Sequence, residues 1–302
     1  MAKHNGTSDS CDHLDEDVRP ILLLSDEERI HRAHRPHWFG YPKAEEILAK
    51  LENLFIHPRI HRMPNLLISG QTNNGKTMIV NHFYRDHPAS DNPEGEAAKA
   101  PVLIVRVPPD PDEGRLYDEI LKKVHAPFNA NDRPGKKLVQ VQTILEKIGL
   151  KILVIDEIHD LLAGTKTHQR QCLNTIKYLC NELCISIVAV GTKDAFNALQ
   201  SDPQLANRFE PALLPKWRMG EEYLKLLASF QCRLPLRRPS DLLQKDIYLK
   251  LLSMSEGTIG ELSAVLTLAC VEAVRTKKEQ ITLKVLNSIS WTQPSARRRS
   301  TV

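Results

Sequence analysis

Four short runs of almost continuous apolar residues punctuate the first two-thirds of the chain: N-L-L-I-S from Asn65, V-L-I-V-R-V from Val102, K-I-L-V-I-D from Lys151 and I-S-I-V-A-V from Ile185. Unbroken rather than alternating apolarity predicts strands covered on both faces, as in a parallel sheet. Between the runs the spacing changes to a helical period. K-T-M-I-V-N-H-F-Y follows the first, R-L-Y-D-E-I-L-K-K-V and K-L-V-Q-V-Q-T-I-L-E-K-I follow the second, and Q-R-Q-C-L-N-T-I-K-Y-L-C-N-E-L follows the third. Strands alternating with helices predict an α/β fold, a parallel sheet flanked by helices.

The two ends read differently. Residues 1 to about 27 are polar, acidic and aperiodic, which predicts a loosely ordered arm. Ser25 and Glu28 then stand in capping-box spacing, and A-E-E-I-L-A-K-L-E-N-L-F places Ile47, Leu48, Leu51 and Leu54 on one helical stripe. Beyond residue 220 no strand signal remains, and four helical patterns follow, the last opened by a Thr282 cap. The expected organisation is an arm over 1–34, partly disordered, an α/β domain over 35–219, a small all-helical domain over 220–292, and a disordered basic tail over 293–302.

Composition narrows the setting. The six cysteines contain no C-x-x-C pair, so packed free thiols in a reducing compartment are expected. The N-terminus lacks the apolar core of a signal peptide, and no run approaches the roughly 18 apolar residues of a membrane span. A cytoplasmic location without membrane contact is the expectation. A formal net charge of +4 permits nucleic-acid binding without requiring it. The basic clusters R-T-K-K at 275–278 and R-R-R at 297–299 read more readily as a solvated helix face or tail than as nucleic-acid contacts.

The chemistry is concentrated where the first strand ends. In G-Q-T-N-N-G-K-T, Gly70 and Gly75 let the backbone of Gln71, Thr72, Asn73 and Asn74 curl so that N–H groups face phosphate oxygens. Lys76 can reach the β and γ phosphates and Thr77 can offer its hydroxyl to Mg2+. The helix beginning at Lys76, Thr77 and Met78 turns its positive end to the same place. The third strand closes on Asp156 and Glu157, suited respectively to holding the metal and to polarising an attacking water as general base. Thr192, just past the fourth strand, can touch both γ phosphate and water. Arg208, downstream of a helix expected to start near Lys193, suits a finger inserted into a neighbour's site, although a lone arginine also serves as a surface ion-pair former.

Phosphate loop, D-E strand, distal threonine and arginine, and a helical lid, in that order, resemble an AAA+ ATPase over residues 35–290. More narrowly, H-W-F-G-Y-P-K-A at 37–44, R-M-P-N-L-L-I-S-G-Q-T-N-N-G-K-T at 62–77, L-V-I-D-E-I-H at 153–159, N-R-F-E-P-A-L-L-P-K-W at 207–217 and L-P-L-R-R-P-S at 234–240 are similar to the TniB family, the ATP-dependent transposition regulators related to TnsC and MuB. The resemblance implies an AAA+ P-loop fold with a helical lid and an ATPase using ATP and Mg2+. It further implies subunits that assemble as rings or filaments on duplex DNA without strong sequence preference, and recruitment of a DDE transposase. It places Trp38 and Tyr41 near the adenine, with core packing the alternative, and makes Lys122, Lys123, Lys136, Lys137, Lys166 and Arg170 candidate DNA contacts. One departure is visible: Gly260 stands where many AAA+ lids carry an arginine, so slow hydrolysis is expected. The competing readings are a helicase loader or replication initiator, and a nucleotide-dependent signalling switch without DNA.

Overall fold

The computed structural model describes residues 12–95, 97–108, 112–162, 165–195 and 207–299. The chain divides into two compact units, Pro42–Pro215 and a second that joins Met1–Tyr41 to Lys216–Val302.

In the first unit β1 (Asn65–Gly70), β2 (Val102–Arg106), β3 (Ile152–Asp156), β4 (Ser186–Gly191) and β5 (Phe209–Leu214) form one parallel sheet in the order β2-β3-β4-β1-β5. Every position of β1, β3 and β4 is buried, which is why those strands read as unbroken apolar runs. Around them lie α2 (Pro42–Ile56), α3 (Lys76–Asp86), α4 (Glu113–Lys123), α5 (Pro134–Lys147) and α6 (Lys166–Glu182), with a 3-10 turn over Ile158–Leu162. Asn65, buried at the start of β1, accepts the Ile187 N–H through Oδ1 at 2.8 Å and so pins β1 to β4.

The fifth strand carries no continuous apolar run. Among the described residues F-E-P-A-L-L pairs with β1 alone, its glutamate, proline and Leu213 are exposed, and Pro211 removes one ladder donor. A proline is tolerated in an edge strand of this kind, and the sequence signal is correspondingly weak.

In the second unit α7 (Glu221–Arg233), α8 (Lys245–Ser255), α9 (Ile259–Arg275) and α10 (Leu283–Ser288) enclose a core around Tyr223, Leu227, Leu251, Val265 and Cys270. Thr282 caps α10 by accepting the Val285 N–H. The N-terminal stretch departs from the expected loose arm. From residue 12 onward it is folded: Leu14, Val18 and Leu22 pack together, and Asp15 N–H donates to the Cys232 carbonyl at 3.1 Å. Two of its acidic residues, Asp15 and Asp17, are exposed yet both pair with Arg233. α1 (Asp26–Ala33) starts with the reciprocal Ser25–Glu28 capping box. Its Arg29 is fully buried, with its guanidinium on the Glu279 carboxylate and the Pro235 carbonyl. Near the other end, Pro294–Arg299 form a short helix, α11, instead of a disordered tail, and Arg297 pairs with Glu261 and lies over the Trp291 ring.

Candidate nucleotide site

The phosphate loop leaves β1 at Gly70 and enters α3 at Lys76. Asn73 and Gly75 take left-handed conformations, with φ of 59° and 86°, and these turn the loop back on itself. Gly70 is required by a close approach: a β-carbon there would stand 2.8 Å from the Leu214 carbonyl oxygen of β5. Asn74 fastens the loop to the same strand, its buried Nδ2 donating to the Leu214 and Pro215 carbonyls at 3.1 and 2.9 Å. The strand that the hydrophobic pattern hides is therefore the wall against which the loop rests. α3 begins with no side chain capping its first turn, so its amides are available at the loop.

Lys76 is buried, and its ammonium donates to the Gly70 and Gln71 carbonyls at 3.1 and 2.7 Å. Burial pushes its pKa below the ordinary lysine value, while Glu157 and Asp156 pull in the opposite direction. The Thr77 hydroxyl donates to Asp156 Oδ2 at 3.0 Å, and Asp156 Oδ1 accepts the Glu157 N–H at 2.9 Å. Glu157 itself has a φ of 55°, a left-handed conformation that costs a non-glycine residue of order 1 kcal/mol or more. A cavity of about 140 Å³ is lined by Thr72, Asn73, Asn74, Gly75, Lys76, Thr77, Met78 and Glu157.

Thr192 follows Gly191, which pairs with Ser69 of β1, so it sits at the strand ends that frame the loop. Its buried Oγ1 has no hydrogen-bond partner among the described residues. A buried hydroxyl in that state is a group suited to a ligand oxygen. Together the Thr77–Asp156 oxygen pair, the glycine-shaped loop and the lysine fit a magnesium-bound triphosphate.

Arg208 is elsewhere. It precedes Phe209, which pairs with Asn65 at the far end of β1 from the loop, and its guanidinium donates to Asn181 Oδ1 at 2.9 Å. Six residues of strand at about 3.3 Å each put it roughly 20 Å from its own phosphate loop. Of the expected helix from Lys193, residues 193–195 are helical and 196–206 lie outside the described residues.

Tyr41 and Trp38 belong to the second unit. Tyr41 is buried edge-on against Trp217, with centroids 5.0 Å apart, and burial pushes its phenol up to about 12. Trp38 lines a groove with Phe39, Cys232 and Arg233.

Of the six basic residues expected at DNA, four are exposed and one is buried among the described side chains. α4 and α5 start side by side, a β-carbon on Gly114 lying 3.7 Å from Pro134 Cγ. Lys136, beside that start, is 70% exposed and pairs with Asp132. Lys122 and Lys123 are exposed at the other end of α4, about 15 Å away along its axis. Lys137 departs from the expectation altogether: it is buried, donating to Asp118 at 2.9 Å and to the Ala130 carbonyl at 2.9 Å, because the helix turns it inward where Lys136 faces out. Arg170 is exposed on α6, and the Lys166 side chain lies outside the described set.

The model of the bacterial TniB protein family matches residues 29–219, more than half of the chain and all of the loop, strand and arginine just described. The chain belongs to the TniB family. No curated protein sequence matches it. Among solved structures, this TniB chain is similar to the ORC2 protein of Aeropyrum pernix in ADPNP–ADP complexes, with a TM-score of 0.59 at 16% identity over 85% of this chain and 70% of that one. It is similar also to Aeropyrum pernix ORC1 in complex with DNA, with a TM-score of 0.54 at 16% identity over 93% and 69%. Drosophila ORC bound to DNA gives 0.53 at 14% over 95% and 68%. At such identities the likeness is one of fold, and the fold is that of AAA+ ATPases. No helix among the described residues is long and apolar enough to cross a membrane.

Proposed function

We propose that this chain is an ATP-dependent, DNA-binding regulator of transposition that assembles on duplex DNA, recruits a DDE transposase and disassembles by hydrolysing ATP. Family membership supports the transposition setting. The observation that carries the shared-site mechanism is the separation of Arg208 from its own loop, for a guanidinium at the opposite end of the strands is placed to serve a neighbour's phosphates and not its own.

In this reading the loop amides and Lys76 hold the β and γ phosphates, and Thr77 and Asp156 hold Mg2+. The ion supplies neutralisation of the phosphate charge. Glu157 takes the proton of the attacking water, Thr192 contacts the γ phosphate, and Arg208 from the adjacent subunit stabilises charge in the transition state. Trp38 and Tyr41 are proposed beside the adenine, Tyr41 from a packed position. DNA is held through its phosphates by exposed cations, among them Lys136 and Arg170, with affinity that falls steeply with salt and little with sequence.

Subunit mixing tests the reading. Lys76→Ala abolishes nucleotide binding but keeps Arg208, and Arg208→Ala keeps the loop but lacks the finger. Each is expected to hydrolyse ATP at least a hundredfold slower than wild type. Mixed on duplex DNA, the two restore a measurable fraction of activity, because some loops then meet an intact finger. A mixture no more active than its components contradicts the shared site.

A further inference from the structure

The D-E-I-H-D run carries a group that the proposed chemistry leaves idle. His159 lies two residues past Glu157 on the 3-10 turn, and its imidazole Nδ1 stands 3.2 Å from Glu157 Oε2. That nitrogen is buried and makes no aligned hydrogen bond among the described residues, so the carboxylate is the charged group it meets at close range. The second ring nitrogen, Nε2, is 3.8 Å from Asp160. The other carboxylate oxygen, Oε1, is 4.0 Å from Arg106 Nη2 at the end of β2, an arginine 74% exposed whose hold is correspondingly screened by solvent.

The turn that carries His159 is fixed on both sides. Asp160 N–H donates to the Glu157 carbonyl at 2.8 Å. On the other side, a β-carbon at Gly191 would lie 2.8 Å from Ile158 Cγ2 and 3.6 Å from His159 N, so only glycine at the end of β4 lets the turn sit this close. Glu157 projects from a left-handed backbone position between the imidazole and the exposed guanidinium. A carboxylate that must meet one water in one geometry needs such a neighbour to fix its rotamer, and misplacement by about 1 Å costs up to a hundredfold in rate.

We infer that His159 is a positioning residue for ATP hydrolysis: its Nδ1–H holds Glu157 Oε2 and leaves Oε1 to receive the water proton. As that proton moves to Oε1, the water oxygen bonds to the γ phosphorus and the bridging oxygen leaves with ADP. The inference rests on the proposed role of Glu157 as general base. Neither the imidazole nor its turn touches the phosphate loop in this role; it acts through the glutamate.

The test uses the full chain with ATP, Mg2+ and duplex DNA, measuring kcat and KM, the affinity for a fluorescent ATP analogue, and melting by circular dichroism. His159→Ala is expected to lower kcat about tenfold while nucleotide affinity stays within twofold. His159→Asn, whose amide nitrogen can stand where Nδ1 stands, recovers most of the rate, and His159→Gln, which mimics Nε2, does not. In a Glu157→Gln background His159→Ala has no further effect. Equal rates for the asparagine and glutamine variants, or an undiminished effect in the Glu157→Gln background, overturn the inference; the asparagine–glutamine comparison decides even where the alanine variant melts early. A Glu157→Gln protein that hydrolyses ATP at the wild-type rate overturns the general-base reading itself.

Discussion

Arg29 and Glu279 show how much of the second unit depends on two side chains 250 positions apart. Burial works against the Glu279 charge, but Arg29 and the Arg237 amide outweigh it and hold the carboxyl below the usual glutamate range. A depressed carboxylate contributes stability that is present above its unfolded pKa and lost as pH falls through the folded one. All three tryptophans, Trp38, Trp217 and Trp291, lie in this unit, so their fluorescence reports its melting alone. The wild-type melting temperature by this probe should fall as pH drops below about 4.3. Glu279→Gln should melt earlier at pH 7, by about 3–5 kcal/mol for a broken buried pair, and with a shallower acid dependence. An unchanged acid slope would contradict the role given to this carboxyl. The residues of the loop and the D-E strand were legible in sequence because phosphate and metal chemistry need those types in contiguous order. Asn74 was legible only as a member of the loop. Its anchoring job depends on the Leu214 and Pro215 carbonyls 140 positions away, which no local pattern reveals.

The elements divide along similar lines. Strands buried on both faces announced themselves, and β5, half exposed and interrupted by Pro211, did not. Yet β5 both backs the phosphate loop at one end and carries Arg208 at the other. Adjacent lysines at the start of α5 look identical in sequence, but one residue is about 100° of helix, enough to bury Lys137 on Asp118 and leave Lys136 in solvent. Their variants should therefore part company. Lys137→Ala should lower stability by about 3–5 kcal/mol, since Asp118 is left uncompensated. Lys136→Ala should leave melting unchanged and weaken duplex binding in low salt, with a salt slope reduced by about one. Chemical denaturation alongside fluorescence anisotropy with labelled DNA checks both, and a Lys137→Ala protein of wild-type stability would contradict the packing account.

Over the whole chain, the helical region past residue 220 was readable, but its N-terminal share was not. The acidic arm lacks periodicity because its function in the fold is carried by single contacts, Asp15 and Asp17 on Arg233 and Arg29 on Glu279, with Leu14, Val18 and Leu22 packed beneath. The phosphate loop and Arg208 are split in the opposite sense: close in the sequence logic, they stand at opposite ends of two neighbouring strands. That separation is the reason assembly is central to the proposed function. Electron microscopy of the purified protein with duplex DNA, with a non-hydrolysable ATP analogue, with ADP and for Lys76→Ala, tests it most directly. The account predicts rings or filaments on DNA with the analogue, and none with ADP or with Lys76→Ala. Monomers indifferent to DNA in the presence of the analogue, or assemblies that form regardless of nucleotide, would contradict it.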